Sequence, residues 1–477
     1  MFDPAQAAVE GALAAGASYA DARVVVSKQE TIAVQNQVVE SIDNAEQAGV
    51  GVRALIGSSW GFFATVEPGE AKQAGERAAE IAKASAVVAG PPLEFADVDV
   101  VEATYETPYE EDPFAVSQSE KVDMLIDVTK TMQDVDGVGI ATANLRFYDT
   151  GKWFVSSQGA RIHQHLVESG GGFDSTALGD TETQRRSYPQ SFGQYETGGY
   201  EVIRRWDFPG NAQRVGEEAA ALLSADELEE GEMDLILEGS QLGLQIHESV
   251  GHAIELDRIL GWEAAFAGTS HLQLEKLGTF QFGSPLMNIT ADATIPGALG
   301  TFGFDDEGTA AQPVDITREG VWVGVLSGRD SAAIAGLPPG GMVRGDGYNR
   351  LPMVRMTNVG LQPGDSSLEE IIADTKRGVY MATNRSWSID DKRLNFQFGT
   401  EIAWEVKDGK LGRMLRNPTY TGIGPEFWGS LDRVAGEDEW VHWGTPNCGK
   451  GQPMQVAHTG HSASPARFKN VRVGVHS

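Results

Sequence analysis

Basic residues and cysteine are scarce in this chain. Its 477 residues include 37 Lys and Arg against 68 Asp and Glu, which gives a formal net charge of -31 at pH 7. Such a charge repels phosphate backbones and anionic membrane surfaces, so we expect no nucleic acid and no membrane partner. The single cysteine, Cys448, excludes an internal disulfide framework and fits a reducing compartment.

Long apolar runs, a secretory leader and two common catalytic motifs are also missing. No apolar stretch approaches the roughly 20 residues that a membrane helix needs. The segment before Arg23 contains Asp3 and Glu10 but no Lys or Arg, so it lacks the positive flank of a signal peptide. The chain has neither a G-x-x-x-x-G-K-[ST] phosphate loop nor a G-x-S-x-G nucleophile elbow. We therefore expect a cytoplasmic protein.

Helix and strand patterns alternate along the first half of the chain. Amphipathic or Ala-rich patterns predict helices at residues 4–15, 69–86, 119–134 and 211–224. β-favouring runs predict strands at residues 22–27, 30–39, 49–55, 60–66, 139–148, 152–157 and 160–168. Helices mixed with antiparallel hairpins predict an α+β fold instead of a doubly wound sheet.

Composition divides the chain into four parts. We expect an N-terminal α+β domain at 1–90, an exposed connection at 91–117 and a central α+β region at 118–224. An acidic stretch then leads into a C-terminal domain at 225–477, which we expect to be β-dominated and Gly-rich. The 57 glycines of the chain, about 12% against a usual 7%, fit tight turns and close backbone approaches.

The strongest chemical signal is the motif HESVGH at residues 247–252. Its histidines are five residues apart, one more than in the H-E-x-x-H pattern of zinc peptidases. On a regular α-helix residues five apart point about 140° from each other, so His247 and His252 could not share one ion. A π-turn absorbs the extra residue, and Gly251 makes that distortion easier. The spacing therefore predicts a π-turn or kink between the two histidines.

The sequence around this motif supports a helix. Ser240 is a suitable N-cap, and an apolar row at four-residue spacing follows it. The row consists of Leu242, Ile246, Val250 and Ile254. A buried strand at residues 233–239 should deliver the chain into this helix.

The residue types of the motif suit a catalytic zinc centre. Neutral imidazoles bind zinc, and a catalytic zinc keeps three protein ligands and one open position for water. Glu248 is rotated about 100° from His247 on a helix, which places it to take a proton from that water. Two histidines and a glutamate can also share a helix by chance. A third ligand would distinguish a metal site from such a chance arrangement.

Few residues can supply that third ligand. Cys448 lies in GTPNCGKGQP, where turn-forming residues near Lys450 should hold the thiol on a loop that suits a thiolate. A lone cysteine is nevertheless most often an inert buried residue. His458 and His461 compete with Cys448 for this position. Lys450 and the two histidines are also candidates for contacts to the metal ligands or the substrate.

Other residues carry weaker signals. Glu255 follows His252 by three residues, and a surface salt bridge or a contact to a metal-binding histidine explains it better than metal coordination does. Asp305 lies in FGFDDEGT, an acidic turn that could also orient a zinc-bound histidine. His163 and His165 alternate on one strand, and a solvated strand face explains this pair because no nearby carboxylate or cysteine completes a site.

Three separated motifs resemble the TldD/PmbA family of metalloproteases. HESVGHA in mid-chain, RMTNVGLQPGD at residues 355–365 and CGKGQP near the C-terminus occur in the order typical of that family. Residues 41–65 are also similar, so the resemblance covers nearly the whole chain. The segment at 384–401 differs, because it lacks the Gly-Gly pair of many TldD-like sequences.

The resemblance implies a set of site residues. In the TldD-like members two histidines and a late cysteine bind zinc, and the motif glutamate acts as the base. Carried over to this chain, these positions are His247, His252, Cys448 and Glu248. The PmbA-like paralogue lacks the metal motif, whereas this chain contains the complete motif at residues 247–252. Residues 225–477 would then form the metalloprotease domain, with one zinc ion per chain.

The resemblance also implies an activity and partners. We expect a peptidase for small, extended or unfolded polypeptides, including the maturation of ribosomally made peptides. The expected assembly is a homodimer or a heterodimer with a metal-less PmbA-like paralogue. Two alternatives are a regulatory or scaffolding partner and a non-peptidase zinc amidohydrolase. A closed four-ligand site that includes His458 or His461 would favour the scaffold, because a structural zinc leaves no open position.

Overall fold

The computed structural model describes residues 1–88, 90 and 93–475 and has an α+β fold, as the sequence predicts. The helices are α1 (Phe2–Ala14), α2 (Ala71–Ser85), α3 (Gln118–Gln133), α4 (Glu201–Trp206), α5 (Phe208–Leu222), α6 (Gly239–Ile246), α7 (Leu256–Ile259), α8 (Arg329–Ala335), α9 (Leu368–Ala373) and α10 (Gly424–Gly429). Within the described ranges no helix is both long enough and apolar enough to cross a membrane.

A long, mainly antiparallel sheet fills the N-terminal half. Its strands are β1 (Tyr19–Gln35), β2 (Val38–Ile56), β3 (Ser59–Thr65), β4 (Glu102–Glu106), β5 (Val138–Ser156), β6 (Arg161–Leu178), β7 (Thr183–Tyr188) and β8 (Gln194–Thr197). The order is β3-β2-β1-β5-β6-β4, and β7 and β8 also pair with β6. Asn36 and Gln37 both have positive φ, which fits the tight two-residue turn between β1 and β2.

Small residues let α1 and α2 pack closely against each other and this sheet. Ala5, Ala8 and Ala12 of α1 are fully buried in one cluster with alanines of α2. A Cβ added at Gly75 of α2 would lie 1.9 Å from the carbonyl oxygen of Ala8. The Ala-rich composition of these helices therefore serves their close approach.

The second half contains strands that close into a ring. They belong to a sheet of β9 (Asp226–Glu227), β10 (Gly231–Leu237), β17 (Arg377–Ile389), β18 (Asn395–Lys407), β19 (Lys410–Arg416), β20 (Thr419–Ile423), β21 (Leu431–Val434) and β24 (Ala466–Val473). The order is β17-β10-β24-β20-β18-β19-β9, and β17 also pairs with β18. That pairing closes five strands around the largest apolar core of the chain.

Shorter strands complete this half. They are β11 (Ile289–Asp292), β12 (Pro313–Arg318), β13 (Val321–Trp322), β14 (Val343–Arg344), β15 (Met353–Val354), β16 (Val359–Leu361), β22 (Val441–Lys450) and β23 (Gln455–Ala463). β10 is the predicted strand before the metal motif, and the chain passes directly from it into α6. The hairpin β22–β23 packs on α6, which brings the region of Cys448 towards the motif.

Buried ion pairs join the two halves. Asp306 accepts from Arg23 at 2.9 Å and from Lys152 at 3.3 Å, while Glu307 accepts from Arg53 at 3.1 Å. Asp305 accepts hydrogen bonds from three backbone N–H groups, and among the described residues none of its hydrogen bonds involves a histidine. These bonds fit a turn residue, and the idea that Asp305 orients a zinc-bound histidine stays a prediction.

Several predicted boundaries need correction. The predicted strands at 22–27 and 30–39 fall mostly within the single strand β1, and β2 includes residues 40–48, where none was predicted. Exposed polar residues occupy that stretch of β2, so strict alternation is lost. The predicted connection contains β4, which pairs in parallel with β6, while its residues 91 and 92 lie outside the described residues. The proposed division at residue 224 stays a prediction.

Candidate metal centre

The histidine motif forms a π-turn, as its five-residue spacing predicts. Helix α6 continues into a π-helical turn at His247–Gly251, and the N–H of His252 donates to the carbonyl of His247 at 3.1 Å. The two ring centroids are 4.8 Å apart and the ring planes are nearly perpendicular. Both imidazoles therefore reach one common space.

Local side chains stabilise this turn. The hydroxyl of Ser249 donates to the carbonyl of Gln245 four residues earlier, at 2.7 Å, a bond that tends to bend helices. The same hydroxyl accepts from Trp428 Nε1 at 2.9 Å. A Cβ at Gly251 would lie 2.1 Å from Sδ of Met356, so this glycine is needed for a close approach as well as for the turn.

The predicted cap of the helix is wrong. Helix α6 begins at Gly239, and its N-cap is Glu238, whose side chain accepts from the N–H of Gln241. The hydroxyl of Ser240 instead donates to the Glu238 carboxylate at 2.5 Å. The side chain of Glu238 therefore caps the helix in place of Ser240, which lies two residues later.

His247, His252 and Cys448 come together. Their ligand atoms all lie within 4.8 Å of one another, and all three residues are buried. The Sγ of Cys448 is 3.8 Å from Nε2 of His252. Cys448 lies on β22 and not on a loop, beside an irregularity in the pairing of β22 with β23. Arg355, from the RMTNVGLQPGD segment, donates to the carbonyl of Cys448.

Hydrogen bonds fix which nitrogen of His247 is free. His461 Nδ1 lies 3.0 Å from the carbonyl oxygen of Val359, which can only accept, so this nitrogen carries a hydrogen. Nε2 of a neutral His461 is then an acceptor, and it lies 2.7 Å from Nδ1 of His247. His247 must therefore donate through Nδ1, which leaves the lone pair on its Nε2. His461 acts here as a hydrogen-bond acceptor and does not face the common space as a competing ligand.

A carboxylate bonded to Nδ1 of His252 likewise leaves Nε2 as the free nitrogen of that ring. Nδ1 of His252 lies 2.9 Å from Oε2 of Glu255, which is fully buried. Burial opposes ionisation of Glu255, but Lys450 and His252 outweigh it and hold the pKa of Glu255 well below its usual range. Lys450 lies 3.2 Å from Glu255 and 2.8 Å from Asp257. The surface interpretation of Glu255 is wrong, since the residue is buried behind His252.

The electrostatics favour the forms that bind a metal. Burial lowers the pKa of both His247 and His252, which favours neutral imidazoles. Burial alone would raise the pKa of Cys448, but His252 and Arg355 lower it overall. Metal ligands must be deprotonated, so each shift supports binding.

The base candidate has a partner that the sequence did not reveal. Glu248 is largely buried, and its Oε2 accepts from Nη1 of Arg393 at 2.6 Å. Arg393 lies in the turn between β17 and β18. Because Arg393 lies 145 residues from Glu248 along the chain, no local sequence pattern indicates this contact.

Other histidines lie elsewhere. His458 contacts Glu168 at 2.6 Å and packs against Tyr148. His163 stacks on Trp153, and His165 contacts Asp149 at 2.8 Å. None of these three belongs to the cluster of His247, His252 and Cys448.

The donor set fits a borderline-soft divalent metal. Two imidazole nitrogens and one thiolate are ligands that zinc prefers, and three protein ligands leave a position for water. The orientation of each imidazole by a second group is also typical of metal-binding histidines. The described residues contain no other comparable cluster.

Comparison with known proteins identifies the family. Residues 230–474 match the model of the PmbA/TldA metallopeptidase C-terminal domain, which is more than half of the chain. Residues 20–86 match PmbA/TldA metallopeptidase domain 1. The chain belongs to the PmbA/TldD metallopeptidase family. This membership confirms the resemblance and assigns the chain to the hydrolases.

Relatives of the family match either nearly the whole chain or about half of it. A metalloprotease of Methanothermobacter thermautotrophicus is 29% identical over 457 residues, which cover 96% of this chain and 95% of that protein. A zinc metalloprotease TldD homolog of Saccharolobus solfataricus is 26% identical over 246 residues, or 51% of this chain and 52% of that protein. A solved structure from Thermotoga maritima has a TM-score of 0.78 at 18% identity and 99% coverage of both chains, which supports the fold.

Proposed function

We propose that this PmbA/TldD family member is a zinc-dependent peptidase for small, extended or unfolded polypeptides. The observation that carries the proposal is the buried convergence of His247, His252 and Cys448. Zinc held by these three residues would activate a water molecule and polarise a peptide carbonyl. A relative named as a zinc metalloprotease supports the choice of metal.

The surrounding residues have distinct roles in this proposal. Glu248 takes the proton of the attacking water on a carboxylate oxygen and later delivers it to the leaving amine. His461 and Glu255 hold the two imidazoles with their Nε2 lone pairs towards the metal. Lys450 keeps Glu255 ionised and in place.

The free edge of β17 is the proposed substrate platform. Residues 378–381 of β17 pair with β10, whereas residues 384–389 pair only with β18 among the described strands. An extended peptide can add to such an edge through main-chain hydrogen bonds, with little dependence on its side chains. The strand continues into the turn that bears Arg393, so a peptide bound there would end near Glu248.

The remaining expectations are also proposals. We propose a cytoplasmic dimer, formed with a second copy or with a metal-less paralogue, on the basis of family resemblance. Size-exclusion chromatography with and without the co-expressed paralogue tests this assembly. The geometry of His461 argues against a scaffold with a closed site, because its Nε2 bonds to His247.

Substitution of Glu248 tests the proposed activity. Glu248→Gln should abolish cleavage of an unfolded peptide library while the zinc content, measured by mass spectrometry of the metal, stays at one ion per chain. Glu275→Gln, at an exposed position, is the matched control. Full activity of Glu248→Gln would refute the assigned base. A wild-type protein that binds zinc but cleaves no peptide or amide would favour the scaffold.

A further inference from the structure

Arg393 uses only part of its hydrogen-bonding capacity. A guanidinium has five N–H donors, yet among the described residues Arg393 makes a single side-chain hydrogen bond, from Nη1 to Glu248. Its Nε is buried without a partner among the described residues, and 17% of the side chain is exposed. Buried donors are nearly always paired, so an unpaired one beside a candidate base indicates a further acceptor during function.

The backbone holds Arg393 firmly at this place. It has a positive φ of 60°, a conformation that non-glycine residues rarely adopt and that clusters at functional sites. Its N–H donates to the carbonyl of Asp390 at 2.9 Å, and the Asp390 carboxylate accepts from the N–H of Leu394 at 2.8 Å. The turn therefore fixes the direction from which the side chain leaves the backbone.

The same turn is tied to the metal helix. The N–H groups of Thr269 and His271 donate to carbonyls of Asp391 and Lys392 at 3.0 and 2.9 Å. Between them, Ser270 Oγ donates to the carbonyl of Ala253, the residue after His252, at 2.6 Å. The backbone of the turn is thus tied to the segment that carries the proposed zinc ligands, and the bond to Glu248 directs the guanidinium towards them, which favours electrostatic preorganisation.

We infer that Arg393 donates a hydrogen bond to the carbonyl oxygen of the scissile peptide and stabilises the negative charge that develops there. The inference rests on the proposed peptidase function. In the attack, a water O–H bond breaks and its proton goes to Glu248, while the new C–O bond sends the carbonyl π electrons to the oxygen. The negative charge therefore moves from the Glu248 carboxylate to the substrate oxygen, and Arg393 is the cationic side chain that donates to Glu248 at 2.6 Å.

Two other roles make different predictions. Arg393 could act only through Glu248, as a positioning residue, or it could bind the C-terminal carboxylate of the substrate. The first role depends on the Glu248 carboxylate. The second depends on a free C-terminus.

The test measures binding of an uncleavable phosphinic pseudopeptide, whose tetrahedral anion resembles the attacked carbonyl. Arg393→Met should bind it about 100- to 1000-fold more weakly than wild type in calorimetry and should lose kcat by a similar factor, with a smaller change in KM and unchanged zinc content. Arg393→Lys should recover part of both. Lys392→Met, at the exposed neighbouring position, should match wild type.

The pseudopeptide is measured with a free and with an amidated C-terminus, and also in the Glu248→Gln background. The inference requires that the loss of affinity persists in all three settings. A loss that vanishes with Glu248→Gln assigns a positioning role, and a loss limited to free C-termini assigns carboxylate binding; either overturns the inference. Wild-type protein that cleaves no peptide overturns the proposed function itself, a result distinct from an active wild type whose affinity is insensitive to Arg393.

Discussion

Two buried polar clusters of this protein are built on opposite principles. At the junction of the two halves, the charges of Arg23 and Lys152 meet that of Asp306 directly. At the metal centre, the groups that would bind zinc are the neutral or weakly acidic side chains of histidine and cysteine, and the charged residues stand behind them. The junction therefore stabilises the fold, whereas the centre orients the nitrogen lone pairs that would bind the metal.

The largest expected effect lies at the junction. Asp306→Asn leaves Arg23 and Lys152 without their counter-charge in a buried setting, so we expect a loss of about 3–5 kcal/mol in the free energy of unfolding. Denaturant titration measures this loss, with the exposed Asp180→Asn as control. Zinc affinity should not change. If the free energy of zinc binding falls as much as the free energy of unfolding, the two clusters do not have separate roles.

The same carboxylate gives a pH dependence. Burial would raise the pKa of Asp306, but Lys152 and Arg23 outweigh it and lower the pKa to about 2. A carboxyl group whose pKa is lower in the folded state stabilises the fold above its unfolded pKa, about 3.9, and loses that contribution as the pH falls towards 2. The stability difference between wild type and Asp306→Asn should therefore shrink between about pH 4 and pH 2. A difference that stays constant over this range would contradict the assignment.

Next in size is the effect of removing the proposed sulfur ligand. We expect Cys448→Ala to weaken zinc binding by more than about 100-fold, because loss of outer partners alone costs 10- to 100-fold. Competition with a zinc-binding dye measures the affinity. The unfolding free energy of the metal-free protein should stay close to that of wild type. Undiminished zinc affinity would remove Cys448 from the site.

A smaller effect is expected behind His247. His461→Leu removes the acceptor for Nδ1 of His247, so we expect zinc affinity to fall about 10- to 100-fold. His461→Gln can restore an acceptor and should recover part of the loss. Equal affinities of the Leu and Gln variants would show that the hydrogen bond does not orient His247.

The smallest effect concerns the π-turn. Gly251→Ala forces a methyl group against Met356 and should lower the unfolding free energy by about 1–3 kcal/mol. Because Met356→Ala itself leaves a cavity, the comparison is a double-mutant cycle, in which the loss caused by Gly251→Ala should be partly recovered in the Met356→Ala background. Absence of any recovery would mean that the conformation of the turn, and not the contact with Met356, requires glycine.

A feature could be predicted from the sequence where the residues that cause it lie close together along the chain. The π-turn was predictable because its cause, a spacing of five between His247 and His252, is local. The α+β fold followed from local periodicity in the same way. The roles of His461 and Arg393 were not predictable. His461 lies 214 residues from its partner His247 along the chain, and Arg393 lies 145 residues from its partner Glu248. The strand position of Cys448 was missed because its Gly- and Pro-rich neighbours are typical of turns.

X-ray absorption spectroscopy of the zinc-loaded protein identifies the atoms that bind the metal. We expect two nitrogen ligands, one sulfur ligand at about 2.3 Å and one oxygen ligand from water. In Cys448→Ala the sulfur contribution should vanish. A wild-type spectrum with no sulfur, or with four protein ligands and no water, would contradict an open site made of His247, His252 and Cys448.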